Sequence, residues 1–351
     1  MNSSTGCGNR VAKDVNAAFH LGWRVVASAC WILSTLAPPL WAQGILLIQL
    51  HRSIALPGVE GRMDHMTLDV TGQRLFLAAL ANNTVEVVDL REGVRTSQLT
   101  GMKEPQGVSL IPDSNRLVVA SGEDGKCRFY DSSLAVVGMV DDLEDADNVR
   151  YDREHKHIYV GYGKGGLAVI DTDGMKKIAD IPLAGHPESF QLEAKGTRIF
   201  VNVPTARHIA VIDREKRAVG ATWAITEAEQ NYPMALDEAN HRLYIGCRKP
   251  AKMLVVDTQS GNTISSFDCC GDADDVFYDS AARQIYVSGG DGCINVIQQE
   301  SADTYREAGR VPTAPGARTS LFVPETRTLY LAVPHRGEQQ AEIRVFTSSS
   351  P

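Results

Sequence analysis

A hairpin of two β-rich runs recurs seven times along this chain of 351 residues. In its clearest copy, residues 157–171 read His-Ile-Tyr-Val-Gly-Tyr-Gly-Lys-Gly-Gly-Leu-Ala-Val-Ile-Asp. Each copy begins with a polar residue, and these residues are Arg74, Arg116, His157, Arg198, Arg242, Gln284 and Thr328. Successive copies are 42, 41, 41, 44, 42 and 44 residues apart. Because one hairpin cannot bury its apolar face alone, this period predicts an all-β fold, a seven-bladed β-propeller with four antiparallel strands per blade.

Each repeat contains the parts of one blade. A strand with apolar residues at alternate positions precedes each hairpin, as at Phe190 and Leu192, and such alternation indicates one buried face. A fourth strand follows most hairpins, but the seventh repeat ends at Thr347 without one. Residues 47–56 precede the first blade and can supply it. We therefore expect the N-terminal strand to complete the last blade and close the ring, which leaves fewer exposed sheet edges.

Aspartates end the third strand in most repeats. They are Asp89, Asp131, Asp171, Asp213 and Asp257. An aspartate there can accept hydrogen bonds from the backbone N–H groups of the following turn. Since the same residue recurs from blade to blade, we interpret these aspartates as structural.

The first 42 residues have the features of an export signal. Arg10, Lys13 and Arg24 precede an apolar run over residues 25–36, and Ala42 precedes Gln43. A charged segment, a short apolar segment and a small residue before the cut are typical of a secretory signal. We predict a signal peptide or an uncleaved signal anchor over residues 1–42, a propeller over residues 43–351, and a periplasmic or extracellular location. An uncleaved anchor would be the chain's membrane contact.

The charge of the chain argues against a general nucleic-acid binder. The formal net charge is −8, and no stripe of lysine and arginine is present. Binding to a phosphate backbone needs such a concentration of positive charge.

Five cysteines follow the predicted leader, namely Cys127, Cys247, Cys269, Cys270 and Cys293. Because five is odd, at least one thiol stays free or pairs between molecules. A bridge from Cys269 or Cys270 to Cys247 or Cys293 is one possibility in an oxidising compartment. Small buried apolar residues are the other interpretation.

Several repeats carry motifs of a known repeat family. Residues 158–161 read Ile-Tyr-Val-Gly and residues 168–171 read Ala-Val-Ile-Asp, while residues 243–246 read Leu-Tyr-Ile-Gly and residues 255–261 read Val-Val-Asp-Thr-Gln-Ser-Gly. These strands, with Glu-Val-Val-Asp at 86–89, resemble the YVTN-type β-propeller repeat, although no strand has the full Tyr-Val-Thr-Asn.

The resemblance implies a secreted or periplasmic seven-bladed propeller, similar to surface-layer repeat proteins and to the cofactor-free propeller subunits of quinoprotein amine dehydrogenases. Lactone-hydrolysing propellers share the architecture. Only Trp223 lies beyond the leader, so a cofactor made from a tryptophan pair is not implied, and we expect no cofactor other than a possible divalent cation.

The default binding site of a propeller is the mouth of its central channel, where the first strands of the blades begin. The alignment places a polar group or a tyrosine there in every blade, nine or ten residues before each hairpin. The candidates are Asp64, His65, Gln106, Asp147, Asn148, Glu188, Tyr232, Asp274, Asp275 and Arg318.

Two acidic loops occupy corresponding positions in the third and sixth repeats. One contains Asp145 and Asp147, and the other contains Asp272, Asp274 and Asp275. Such carboxylates could bind a hard cation such as calcium, which takes six to eight oxygen ligands. The alternative is a solvated acidic rim, because the spacing matches no dedicated calcium loop.

Three functions are compatible with these residues. The favoured one is an exported binding or scaffold protein for an unknown small molecule or protein partner. The second is a lactonase-like hydrolase, with His65, His186, Glu188 and Arg318 converging at the mouth and possible help from a metal. The third is an accessory propeller subunit of a redox enzyme.

Overall fold

The computed structural model describes residues 48–348, which fold into β-strands and two 3-10 helices, Leu80–Asn82 and Pro204–Ala206. The predicted leader over residues 1–42 lies outside the described residues. Between residues 48 and 348, no helix is long and apolar enough to cross a membrane. The strands are β1 (Gln49–Ala55), β2 (Met66–Asp69), β3 (Arg74–Ala79), β4 (Thr84–Asp89), β5 (Val94–Leu99), β6 (Pro105–Ile111), β7 (Arg116–Ser121), β8 (Lys126–Tyr130), β9 (Val136–Val140), β10 (Val149–Asp152), β11 (His157–Tyr162), β12 (Gly166–Asp171), β13 (Lys176–Pro182), β14 (Phe190–Leu192), β15 (Arg198–Val203), β16 (His208–Asp213), β17 (Ala218–Ala224), β18 (Glu229–Asp237), β19 (Arg242–Lys249), β20 (Ala251–Asp257), β21 (Thr263–Asp268), β22 (Ala273–Asp279), β23 (Gln284–Gly289), β24 (Cys293–Gln299), β25 (Tyr305–Pro312), β26 (Ser320–Val323), β27 (Thr328–Val333) and β28 (Glu342–Thr347).

These strands form seven four-stranded antiparallel sheets, which are the blades of a propeller. Blades 1 to 6 each take four consecutive strands, from β2–β5 in blade 1 to β22–β25 in blade 6. Blade 7 consists of β26, β27, β28 and β1. The predicted fold class, including the number of blades and the strands per blade, is confirmed.

The ring is closed by the N-terminal strand, as predicted. β1 pairs antiparallel with β28, from Gln49 opposite Thr347 to Ala55 opposite Glu342. Ile54 of β1 is 1% exposed and belongs to a core cluster that contains residues of both blade 7 and blade 1. The guanidinium of Arg52 also donates to the carbonyl oxygen of Leu90 in blade 1. The two ends of the described chain are therefore joined through one sheet.

The apolar core lies between neighbouring blades. Tyr244 on β19 is fully buried and packs in one cluster with Val276 and Ile285 of blade 6. Tyr159 and Tyr286 occupy the matching position on their own second strands and are also buried. Burial of one such side chain stabilises the fold by about 1.5 to 3 kcal/mol. The third residue of the repeated run is thus a packing position.

The polar residue that opens the hairpin joins one blade to the next. Arg116 donates to the carbonyl oxygen of Thr172 in blade 3 at 3.1 Å, and Nε of Arg242 donates to that of Ala302 in blade 6 at 3.0 Å. Arg198 makes the same kind of bond to Thr258 in blade 5. The recurring arginine is explained by this link between blades.

The aspartates at the ends of the third strands hold the following turns, as predicted. Oδ1 of Asp89 accepts from the backbone N–H groups of Arg91 and Glu92 at 2.8 and 3.0 Å. Oδ1 of Asp257 accepts from those of Gln259 and Ser260 at 3.0 and 2.7 Å. Their role is structural.

One disulfide links Cys270, just before β22, to Cys293 at the start of β24. Cys127, Cys247 and Cys269 are buried free thiols. The pairing of Cys270 with Cys293 is one of those that the sequence allowed, and the three free cysteines are small buried residues.

Candidate functional site

A β-bulge near the start of the first strand in blades 1 to 6 presents two successive residues at the channel mouth. In blade 1, the backbone of Ala78 pairs with both Asp64 and His65, with N···O distances of 2.8 and 3.0 Å. Gly161 pairs in the same way with Asp147 and Asn148 in blade 3, as does Asn202 with Glu188 and Ser189 in blade 4. The ladders of blades 2, 5 and 6 shift register at the corresponding pairs. An extra residue in one strand re-aims the side chains there, so the bulge explains why the aligned pairs converge.

Two cavities follow the propeller axis. A larger one of about 360 Å³ is lined by first-strand residues of all seven blades and is the central channel. The second, which we call the channel mouth, is much smaller, about 20 Å³, and shares His65, Ser189 and Asp275 with the channel. Eight of the sequence-predicted residues line the mouth, namely Asp64, His65, Asp147, Asn148, Glu188, Tyr232, Asp274 and Asp275.

Gln106 and Arg318, the other two predicted residues, lie beside the mouth. Gln106 is 9% exposed and packs against Gly122. Arg318 lines a neighbouring cavity of about 200 Å³, together with Arg62, His335 and Arg336. The acidic mouth therefore adjoins a basic cavity.

Asp64, His65 and Asp147 form the closest cluster of ionisable groups in the mouth. Nε2 of His65 lies 3.3 Å from Oδ1 of Asp147 and 3.7 Å from Oδ1 of Asp64. The other carboxylate oxygen of Asp64 accepts a hydrogen bond from Nη2 of Arg62 at 2.7 Å. Among the described residues, this is the group whose ligand atoms lie close enough together to hold a metal ion, all within 4.8 Å of one another.

Two buried oxygen atoms of the mouth have no hydrogen-bond donor. They are Oδ1 of Asp147 and Oδ1 of Asn148, whose residues are 7% and 2% exposed. The contact between Asp147 and His65 is an ion pair without hydrogen-bond geometry. Leaving a buried acceptor unsatisfied costs about 1 to 3 kcal/mol. Such atoms are expected where a ligand completes the site.

Arginines neutralise the acidic loop of blade 6. Arg318 donates to both oxygens of Asp272 at 2.7 and 2.8 Å, and its Nε lies 3.0 Å from Asp274. Arg248 donates to Asp274 and lies over the ring of Tyr232, with 4.1 Å between the guanidinium carbon and the ring centroid. The carboxylates of Asp272 and Asp274 therefore both form ion pairs with arginine side chains.

The five aspartates predicted as metal ligands are not brought together as one set. Asp145 is mostly exposed and lies 3.2 Å from Nδ1 of His186. Asp272 and Asp274 are held by the arginines, and Asp275 accepts from the backbone N–H of Ser320 at 2.6 Å. Asp147 alone of the five is in the cluster with His65.

Burial and mutual repulsion shift the pKa values of the mouth carboxylates. Burial, followed by the charges of Asp147, Asp274 and Asp64, raises the pKa of Glu188 to about 9. Burial also raises the pKa of Asp275 to about 8. The pKa of Asp147 is lowered despite its burial, because the interaction with His65 favours the carboxylate. Carboxyl groups of one cavity are thus held in different protonation states at neutral pH.

Of the four residues predicted to converge for hydrolysis, namely His65, His186, Glu188 and Arg318, the structure brings only two together in the mouth. His65 and Glu188 line the same mouth. His186 bonds through Nδ1 to the carbonyl oxygen of Gly163 at 2.7 Å, and Arg318 lies in the basic cavity. The sequence alignment did not predict Arg62 and Thr319, which line the mouth, or Arg248, which contacts Asp274 and Tyr232. Arg62 lies only two residues before Asp64.

The amino-acid sequence is distantly similar to curated proteins. It is 23% identical over 191 residues to "Uncharacterized protein YncE" of Salmonella typhi, and 22% identical over the same length to the protein of that name from Salmonella typhimurium. Each alignment covers 53% of this chain, and the chain spans about half the length of these relatives. No family model matches the chain.

Solved structures show the same fold at low sequence identity. A chain of the Kuenenia stuttgartiensis hydrazine synthase has a TM-score of 0.69 and 16% identity, over 79% of this chain and 95% of its own length. A chain of the Mitotic Checkpoint Complex has a TM-score of 0.73 and 14% identity, over 94% of this chain and 100% of its own. These similarities show the β-propeller fold, in proteins that include a subunit of a protein complex.

Proposed function

We propose that the protein is an exported β-propeller binding protein of the YVTN type, and that the channel mouth binds a small polar ligand. The observation that carries the proposal is the buried oxygen atom of Asn148 without a donor, next to Oδ1 of Asp147, which forms the ion pair with His65. A ligand that supplies hydrogen-bond donors or a positive charge to these atoms removes their desolvation cost. The bound molecule is therefore expected to carry hydroxyl, amino or cationic groups.

Export is supported by the composition of the leader and by the disulfide. Residues 1–42 have the charge and apolar pattern of a signal segment, and the bridge between Cys270 and Cys293 suits an oxidising compartment. The full chain, expressed in a bacterial host with an oxidising periplasm, should be recovered there. Recovery only in the cytoplasm would contradict export.

The test of mouth binding uses protein dialysed against a chelator and a panel of polyols, sugars, amino acids and hydroxy acids. A ligand present at 100 times its Kd stabilises the folded state by about 2.7 kcal/mol. For a domain of about 300 residues, this raises the melting temperature by about 4 °C, taking an unfolding entropy of about 2.1 cal/mol/K per residue. At least one compound class should produce such a shift.

Two variants show where the compound binds. Asn148→Ala and Glu188→Gln should each lose the shift, because both residues line the mouth. Asn262→Ala, on an exposed turn of blade 5, is the matched control and should keep it. A shift that survives both mouth variants, or no shift with any compound, would contradict the proposal.

Hydrolysis of an ester or lactone is the second candidate function. It is favoured by the presence in one cavity of His65, flanked by two carboxylates, and Glu188, whose raised pKa makes it a neutral proton donor at pH 7. Hydrolysis of γ-butyrolactone or p-nitrophenyl acetate should then be lost in Glu188→Gln. Turnover that is unchanged in this variant would exclude a role for Glu188.

A further inference from the structure

Three potential metal ligands converge from two blades that are not adjacent. Asp64 and His65 belong to the bulge of blade 1, and Asp147 belongs to the matching bulge of blade 3. Their ligand atoms are separated by 3.3 Å from Nε2 to Asp147 and by 3.7 Å from Nε2 to Asp64. A tetrahedral ion with bonds of about 2.0 to 2.1 Å separates its ligand atoms by about 3.4 Å. The two distances from Nε2 are therefore close to those of a tetrahedral coordination sphere, and all three ligand atoms lie within 4.8 Å of one another.

We propose that Asp64, His65 and Asp147 bind one divalent transition-metal ion of the zinc class at the channel mouth. This inference rests on the proposed function, because it names the ligand class of the same site. Two carboxylates and one imidazole neutralise the charge of a divalent ion and leave a coordination position open toward the cavity.

A separate observation points to a ligand at this position. Oδ1 of Asp147 contacts Nε2 of His65 in an ion pair, whereas Oδ1 of the next residue, Asn148, which is not a member of the cluster, is buried without a hydrogen-bond donor. Both residues are more than nine-tenths buried and line the mouth. A cation bound to Asp147 satisfies the first oxygen, and the second is available to the ion or to a water bound to it.

The chemistry of the cluster favours a transition metal over calcium. Calcium takes six to eight oxygen ligands, whereas an imidazole suits zinc, nickel, copper and iron. Of the aspartates in the acidic loop of blade 6, Asp272 and Asp274 are engaged by Arg248 and Arg318, and Asp275 accepts from the backbone N–H of Ser320. The acidic loop of blade 6 is thus left out of the site.

Arg62 positions one ligand. Its Nη2 donates to Oδ2 of Asp64 at 2.7 Å, which leaves Oδ1 of that carboxylate facing His65. A hydrogen bond to the second oxygen fixes the orientation of a metal-binding carboxylate. The bulges position the backbone of the other two ligands, since Ala78 pairs with His65 and Gly161 pairs with Asp147.

The experiment is a Co²⁺ titration of the chelator-dialysed protein, followed by visible absorption and calorimetry. One equivalent of Co²⁺ should bind with the intense bands of a four-coordinate ion, and Zn²⁺ should displace it. His65→Gln and Asp147→Asn should each weaken Co²⁺ binding by about 100-fold or more, since each removes a direct ligand. His155→Gln is the matched control, because Nδ1 of His155 lies 2.9 Å from Asp152 in another histidine–carboxylate pair. This variant should bind Co²⁺ like the unmodified protein.

Binding that persists in both mouth variants, or no spectral change on adding Co²⁺, would overturn the inference. If the variants fail to fold, pulsed electron paramagnetic resonance of the unmodified protein loaded with one equivalent of Cu²⁺ decides the question. Modulation from one imidazole nitrogen is expected, and its absence overturns the assignment. The panel of polar compounds is measured on metal-free protein. Organic binding without Co²⁺ binding therefore refutes the metal site alone, whereas failure of the panel refutes the wider proposal.

Discussion

Loss of the disulfide between Cys270 and Cys293 should lower the stability of the propeller by an amount set by the loop that it closes. The two cysteines are 23 residues apart in sequence. In the chain-entropy model, a loop of this length stabilises the folded state by about 3.4 kcal/mol. For about 300 residues with an unfolding entropy of about 2.1 cal/mol/K each, the melting temperature should fall by about 5 °C.

The measurement is thermal unfolding by circular dichroism, with and without a phosphine reductant. Reduction should lower the melting temperature of the unmodified protein by about 5 °C, and the double variant Cys270→Ala, Cys293→Ala should melt at that lower temperature before any reductant is added. The reductant should not affect the double variant, because Cys127, Cys247 and Cys269 are free thiols. Equal melting of the oxidised protein and the double variant would refute the loop-closure reasoning.

Three further predictions concern the blades and the mouth. Arg242→Ala should destabilise the fold by about 2 kcal/mol, because its buried guanidinium donates to a backbone carbonyl oxygen of blade 6. Arg153→Ala, at an exposed ion pair, should cost less than about 1 kcal/mol. Equal melting temperatures of the two variants would contradict this. Deletion of residues 48–56 uncovers the edge of β28 and should produce larger species in size-exclusion chromatography, whereas a stable monomer would show that the ring closes without β1. In metal-free protein, the pKa of Glu188 is raised to about 9, from about 4 in the unfolded chain. The neutral carboxyl group therefore contributes stability that is complete below about pH 4 and is lost as the pH rises through about 9. Glu188→Gln should therefore flatten the fall in melting temperature from about pH 6 to 9.5, and an unchanged slope would count against the buried neutral acid.

The fold could be predicted from the sequence because its determinants are local and repeated. The constant period fixed the number of blades, and the missing fourth strand after Thr347 indicated that the N-terminal strand closes the ring. The arginine that begins several of the hairpins could be recognised from the sequence, but its hydrogen bond to the neighbouring blade could not. Arg116 reaches the backbone of Thr172, 56 residues away, and such a contact is defined only once two blades stand side by side.

The position of the candidate site could be predicted from the sequence, but the contacts between its charged side chains could not. The alignment placed Asp64, His65 and Asp147 at the mouth, and the structure shows the same bulge at both positions, in blades 1 and 3. The alignment left the acidic loops of blades 3 and 6 as either a cation site or a solvated acidic rim, since sequence shows the density of carboxylates and not their neighbours. Arg248 comes from the end of β19, and its contact with Asp274 depends on how blades 5 and 6 pack. That contact decides which carboxylates remain available.

Anomalous X-ray scattering from a crystal of the full chain, grown after dialysis with one equivalent of Zn²⁺, tests the central assignment most directly. We expect a single strong peak about 2.0 to 2.1 Å from Nε2 of His65 and from one oxygen of each of Asp64 and Asp147. A peak at the loop of Asp272 and Asp274, or no peak in the mouth, would contradict it.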